Sequence, residues 1–229
     1  MAKKKISRKQ LLKGPDEFLT FSSRALDFLR TNQQKLRYVG IAIAVVAIAY
    51  FAIYNWMGIV NEKGQNAYNT AAKSILAVSM KPDADPADLK KSADLFEEVI
   101  TEYGMSKVAQ LALSQAAYVK YLEKNYSDAI ILYEKFLDTV SGDLQYASLA
   151  RLALAACHEA NGDPDKAIEI LKPSVETPSD SSFREAAMWS LARLYRLDNK
   201  PEKEETILKE FVEKYENSPY HAMAKAQLL

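Results

Sequence analysis

Hydrophobic and polar positions alternate in two different ways along this chain. From Tyr38 to Asn61 it reads YVGIAIAVVAIAYFAIYNWMGIVN, 24 positions without a charge between Arg37 and Glu62. As a helix rising about 1.5 Å per residue, the run is about 36 Å long and crosses a bilayer core of about 30 Å. Tyr38 at one edge and Tyr54 and Trp56 at the other have rings that favour the headgroup level. A core helix rarely runs so far without one charge for its outer face, so the pattern predicts a transmembrane helix over residues 38–60. Beyond it, apolar residues recur at the three-to-four spacing of amphipathic helices. Helices are expected near 62–80, 86–103, 106–124, 126–140, 144–161, 164–177, 182–198, 201–216 and 219–229. Residues 61–85 then form a connecting helix and a linker, Lys81 to Asp85, ahead of a domain over 86–229.

That domain repeats itself. Leu154-Ala155-x-x-His158-x-x-x-Gly162-x-x-x-x-Ala167-Ile168 recurs 37 residues later as Leu191-Ala192-x-x-Tyr195-x-x-x-Asn199. It also occurs 38 residues earlier as Ala116-Ala117, followed by Asn125 to Ile130. Tyr103-x-x-Ser106 and Tyr215-x-x-Ser218, 112 residues apart, mark about three periods. Gly162 suits a left-handed helix end, Asp163 an N-cap and Pro164 the first helical position. Asp85-Pro86, Ser218-Pro219 and the box Ser182-x-x-Glu185 supply further helix starts. Ala117, Ala129, Ala155, Ala167 and Ala192 fall where paired helices approach closely, and Phe136, Leu171, Leu208 and Phe211 fill between them.

A helix pair with these small, aromatic and aliphatic offsets resembles the tetratricopeptide repeat, whose usual period is 34. Here the period is longer, Lys120 and His158 replace the usual Tyr of the first helix, and Glu204 replaces the usual Ala of the second. The expected fold is all-α: an N-terminal transmembrane helix followed by a tetratricopeptide-like α-solenoid. Three central units flanked by partial ones form one continuous domain, because no unit buries its apolar face alone.

Charge adds an orientation. The 30 basic and 30 acidic residues cancel, but residues 1–37 hold ten Lys or Arg against Asp16, Glu17 and Asp27, a net +7 balanced by −7 over 38–229. Positive charge before the span keeps the N-terminus in the cytoplasm and exports the acidic part. The apolar run is too long for a cleavable signal, and Met57 to Val60 offer no small-x-small site, so the span is retained as a signal anchor. The leader divides into a basic tail, residues 1–13, and a helix beginning at Asp16 after Gly14-Pro15. Phe18, Phe21, Ala25, Phe28 and Leu29 lie at helical spacing beside Arg24 and Arg30, a face for the inner-leaflet interface or for a partner protein. Topology and anionic lipid account for the Lys run without nucleic acid, and the acidic residues argue against a mitochondrial presequence.

A short basic leader, one span and an exported repeat array together resemble the ancillary subunit of the SecYEG translocon, the YfgM-like family. That resemblance implies a bacterial inner-membrane protein whose periplasmic domain sits beside the translocon and contacts periplasmic chaperones. A second reading is a structural organiser coordinating cell-envelope or peptidoglycan synthesis at the inner membrane.

No catalytic, cofactor-binding or metal-ligating constellation is expected. The lone Cys157 and two His are too few for a zinc or iron–sulfur site, and Cys157 and His158 point in different directions from one helix, as core residues. Asp83, Asp85 and Asp88 lack the Gly and the twelfth-position Glu of a calcium loop. The expected partners are proteins, with lipid along residues 38–60, and neither nucleic acid nor a small-molecule substrate. In tetratricopeptide arrays the first helix of each pair lines the groove. By that resemblance the candidates are Leu111, Ser114, Tyr118 and Tyr121; Leu149, Leu152, Ala156 and Glu159; Ala186, Trp189, Arg193 and Arg196. Trp, Tyr and Arg dominate interface energetics, and Arg193 with Arg196 suits a partner's carboxylate.

Overall fold

The computed structural model describes residues 17–81, 85–176 and 183–229, with side chains from Ser23 onward except Ala25. The basic tail, Gly14-Pro15, Asp16, Asp83 and Ser182 of the sequence reading lie outside the described residues. The chain divides into two units, Met1–Trp56 and Met57–Leu229.

The first unit holds α1, Glu17–Thr31, and the beginning of α2, Gln33–Ser79. Among the described residues α2 is the one helix long and apolar enough to cross a membrane, with a mean hydropathy of 2.2 over its best window and none of that window buried. Ile43, Val46, Ile48 and Phe51 are each more than half exposed, so the run is not a core helix of this fold.

The second unit continues with α3 Pro86–Glu102, α4 Ala109–Leu122, α5 Tyr126–Val140, α6 Leu144–Ala160, α7 Pro164–Glu176, α8 Arg184–Leu197, α9 Pro201–Lys214 and the short α10 His221–Ala226. All described elements are α-helices. The starts at Asp85-Pro86 and Asp163-Pro164 follow the predicted chemistry, whereas α10 begins at His221 after Tyr220 rather than at Ser218-Pro219, and Asp143 is a cap the sequence reading did not name. Asp85 accepts a hydrogen bond from Ala87 N at 2.8 Å, and Asp143 accepts from Gln145 N at 3.0 Å and Tyr146 N at 3.2 Å. Their ends share one device. Among the described residues, Lys124 (φ 61°), Gly162 (φ 83°) and Asn199 (φ 51°) are left-handed, one after each of α4, α6 and α8. The following amide donates back to the Lys120, His158 or Tyr195 carbonyl at 2.8–2.9 Å, closing a Schellman turn each time. The repeat period is therefore written into backbone conformation, although only one of the three positions is glycine.

Three buried clusters bind the helices; two join both helices of one pair to the first helix of the next, and the third joins two successive pairs and Ala224 of α10. Ala71, Ile75 and Val78 of α2 meet Leu89, Ala93, Phe96 and Val99 of α3, and Ala112, Ala116 and Val119 of α4. Ala117 of α4 meets Tyr133 and Phe136 of α5, and Leu154 and Cys157 of α6. Ala155 meets Leu171 and Val175 of α7, Met188 and Leu191 of α8, and Leu208 and Phe211 of α9. The small residues Ala117, Ala129, Ala155, Ala167 and Ala192 are all buried, as their spacing predicts. Phe96, Phe136, Leu171 and Phe211 fill the second helices; each stabilises by about 2–3 kcal/mol on burial.

The end of α2 packs on the start of the array. The sequence pattern sets residues 61–85 apart as a connecting helix and linker; in the structure Ala71, Ile75 and Val78 of α2 share a buried cluster with α3 and α4. Gly64 lets α2 approach the turn after α3: a Cβ there would lie 2.7 Å from Ser106 Oγ. Asn61 Oδ1 accepts from Lys107 N at 2.9 Å in the same contact. At the other end the helix expected over 219–229 is confined to His221–Ala226.

Candidate functional site

The first helices of successive pairs lie side by side, since α6 touches both α4 and α8 across the second helices that separate them in sequence. This brings the candidate groove residues onto neighbouring elements, in three different states.

Leu111 and Tyr118 of α4 and Leu149 of α6 are each about two-fifths exposed. They offer one aromatic and two aliphatic side chains at helical spacing, the part of the set open to a partner. Tyr121 and Leu152 are half-buried. Tyr121 packs on the α4–α6 cluster, its ring 5.5 Å from Tyr126, and Leu152 packs on the α6–α9 cluster.

The charged members are engaged within the chain. Glu159 of α6 and Arg193 of α8 form a two-pronged pair, with Arg193 Nη2 donating to Glu159 Oε2 at 2.6 Å and Nη1 to Oε1. Arg196 Nε lies 3.5 Å from Glu204 Oε1, so the carboxylate standing at the usual Ala position of the second helix meets the first helix of its own pair. Arg193 and Arg196, expected to suit a partner's carboxylate, thus each face a carboxylate of the chain itself. Trp189 stacks on Tyr220 with ring centres 5.2 Å apart and packs against Phe211 at 6.1 Å. It anchors the C-terminal segment, a partnership hidden from sequence because Tyr220 belongs to no repeat offset.

Buried ionisable groups are tuned by desolvation rather than by partners. Burial pushes the Cys157 thiol up to about 12, keeping it a thiol at neutral pH. Burial likewise lowers the His158 pKa, opposed by Asp163, and raises that of Tyr133. His158 Nδ1 has no hydrogen-bond partner among the described residues. Cys157 and His158 thus occupy the core, and an inert thiol beside a desolvated imidazole is not an activated nucleophile. Asp85 caps α3 and Asp88 pairs with Lys81 at 2.6 Å, so both have structural partners. Among the described residues no group of three or more metal-ligating side chains converges.

Stacked helix pairs that expose apolar and aromatic side chains on their first helices define a repeat scaffold of the protein-binding class. The tetratricopeptide repeat-like domain family matches residues 28–187, and a tetratricopeptide repeat matches residues 186–218; the chain belongs to the tetratricopeptide repeat-like family. Such repeats are generally protein-interaction scaffolds rather than catalysts. No curated protein matches the chain. Among solved structures it is similar to nearly identical TPR-like repeats of a Podosopora anserina protein described as a kinesin light chain. The identity is 14% and the TM-score 0.53, over 75% of this chain and 84% of that one. A singly substituted form of the same repeats aligns at the same identity and coverage with a TM-score of 0.54. At that identity the likeness extends to the fold.

Proposed function

We propose that the chain is a single-pass, membrane-anchored scaffold that holds partner proteins on its repeat domain beside protein export machinery. The observation that carries this reading is an apolar run with none of its length buried, on the same chain as a tetratricopeptide array. A run of that kind is stable in lipid and costly in water. Residues 38–60 are then the anchor. The excess of Lys and Arg before it favours a cytoplasmic N-terminus and an exported repeat domain, in a bacterial inner membrane facing the periplasm. The layout resembles the YfgM-like ancillary translocon subunit, so the proposed partners are SecYEG and periplasmic chaperones.

The contact surface on the repeats is Leu111, Tyr118 and Leu149. Tyr121, Leu152, Glu159, Trp189, Arg193 and Arg196 surround it as residues that shape and fix the groove, the last three being tied to Tyr220, Glu159 and Glu204.

In-cell photocrosslinking from positions 21, 38, 118 and 149, read by mass spectrometry, tests the proposal. Translocon subunits captured from 21 and 38, with chaperones or exported chains captured from 118 and 149, are expected. Capture of wall-synthesis proteins alone at all four positions sinks the export reading in favour of an envelope organiser.

A further inference from the structure

Helix α1 carries a pattern that the repeats do not explain. With successive residues about 100° apart on a helix, the sequence places Phe18, Phe21, Ala25, Leu26, Phe28 and Leu29 on one half of α1. Arg24 and Arg30 fall at the two margins of that half, and Asp27 at the middle of the opposite face. Leu26, Phe28 and Leu29 are each more than half exposed, so no described residue of the first unit covers this face where its side chains are described. The break at Asn32 is a single residue, spanned by bonds from its amide to Phe28 O at 3.0 Å and from Leu36 N to its carbonyl at 2.9 Å. Leu26, Leu29, Arg30, Gln33 and Leu36 line one shallow recess across it, so the apolar face runs on toward the uncharged stretch at Tyr38.

We propose that α1 is a docking helix for anionic phospholipid, lying in the interface of the leaflet on the N-terminal side of the span. Three observations favour lipid over an acidic protein. Arginines on both margins place long apolar stems along a flat apolar surface and carry their heads out to phosphates on either side. The one acidic residue between them faces away from that surface. The apolar face also continues in sequence into a run that is itself exposed all round, and the net +7 of residues 1–37 supplies the second, electrostatic signal that interfacial binding needs.

The proposal rests on the span reading, and the test separates the two. The full chain is reconstituted into vesicles of neutral phosphatidylcholine, with and without phosphatidylglycerol. Variants Phe28→Cys and Asp27→Cys are reacted with a water-soluble maleimide. Cys157 is fully buried and stays unmodified in the folded chain, and Asp27→Cys normalises for leaders facing outward. With phosphatidylglycerol, residue 28 is protected while residue 27 reacts; in neutral vesicles the protection is weak. Each basic residue near an anionic surface multiplies partitioning about fivefold, so Arg24→Gln with Arg30→Gln lowers the protection about twenty-five-fold. Alkaline carbonate applied to the unsubstituted chain reads the span alone. Release from the vesicles overturns both readings. Retention with residue 28 as reactive as residue 27 overturns the docking helix only, as does protection that requires an added cytoplasmic protein fraction instead of phosphatidylglycerol.

Discussion

Among the described glycines, Gly64 on α2 makes the closest approach to a neighbouring segment, the turn that follows α3, and replacing it is a sharp test of the packing. A Cβ at 64 would stand 2.7 Å from Ser106 Oγ, 2.8 Å from Ser106 Cβ and 3.1 Å from Tyr103 Cβ. The first neighbour is not a flexible tip but a short, buried side chain with no hydrogen-bond partner among the described residues, and the other two are rigid Cβ atoms. Helix α2 must therefore move away from the turn, loosening the Asn61–Lys107 hydrogen bond. Overpacking of this kind costs about 1–3 kcal/mol, while exchanging a mid-helix Gly for Ala returns about 1 kcal/mol of helix propensity. With rigid Cβ neighbours on two sides the upper half of that range, about 2–3 kcal/mol, applies, so the net destabilisation by Gly64→Ala is about 1–2 kcal/mol, or about 2–8 °C for a unit of this size. Circular dichroism melts of the full chain in detergent measure it, and hydrogen exchange over α3 and α4 shows whether the loss is confined to the first pair. Because Ser106 supplies the two closest atoms, Ser106→Gly should restore space, with a coupling of about 1 kcal/mol in a double-mutant cycle. An unchanged or higher melting temperature for Gly64→Ala, or no coupling with Ser106→Gly, refutes the close approach.

Four further outcomes are expected. Burial holds the His158 pKa below its usual 6.5, so the unfolded chain takes up the proton first; the stability of the α6–α7 turn is level above that pH and declines as pH falls through it, and His158→Phe removes that component from urea midpoints. Lys124→Gly relieves a left-handed non-glycine residue (φ 61°) and stabilises by about 0.5–1 kcal/mol, read as a higher urea midpoint. The Glu159–Arg193 pair, with about two-fifths of the Arg193 side chain exposed, yields a coupling of about 1 kcal/mol in a double-mutant cycle, diminishing in high salt. Trp189→Ala destabilises by about 2–3 kcal/mol through lost packing on Phe211 and Tyr220, whereas Tyr118→Ala stays within about 0.5 kcal/mol and weakens partner capture; equal melting curves for the two variants contradict this division.

Much of the fold was legible because several levels agree. The 37- and 38-residue spacing, the aspartate caps and the small residues at helix contacts all point to stacked helix pairs, and the observed helices start where those caps are. Less legible was the packing of the end of α2 on α3 and α4. The repeat signature there is degenerate because α2 serves two environments: an uncharged all-round surface up to Asn61, then a one-sided stripe at Gly64, Ala71, Ile75 and Val78. A stripe of small and aliphatic residues after a long apolar run gives a weak periodic signal. The left-handed Lys124 was invisible for a related reason, since lysine carries no preference for that conformation; only register with Gly162 betrays it.

The binding surface was less legible, and its charges show why. A repeat offset gives the helix face on which a residue lies, but not whether a neighbour has already claimed its charge. Arg193 meets a carboxylate 34 positions away on the adjacent first helix, and Arg196 meets Glu204 on the helix that follows its own. Both pairings depend on how far each helix is rotated about its axis, which cores such as Met188 and Leu191 against Leu171 determine. The consequence reaches the partner's chemistry. A guanidinium held by two hydrogen bonds to its own carboxylate gains little from a second carboxylate unless the first is displaced, because exchanging one pair for another returns little net energy. On the proposed contact face, recognition would then rest on Leu111, Tyr118 and Leu149, which favour apolar and aromatic side chains. Acidic peptides should compete poorly for it, and Glu159→Gln, which frees Arg193, should improve their binding; no gain in acidic-peptide affinity on that substitution would show that the ion pair does not set the specificity.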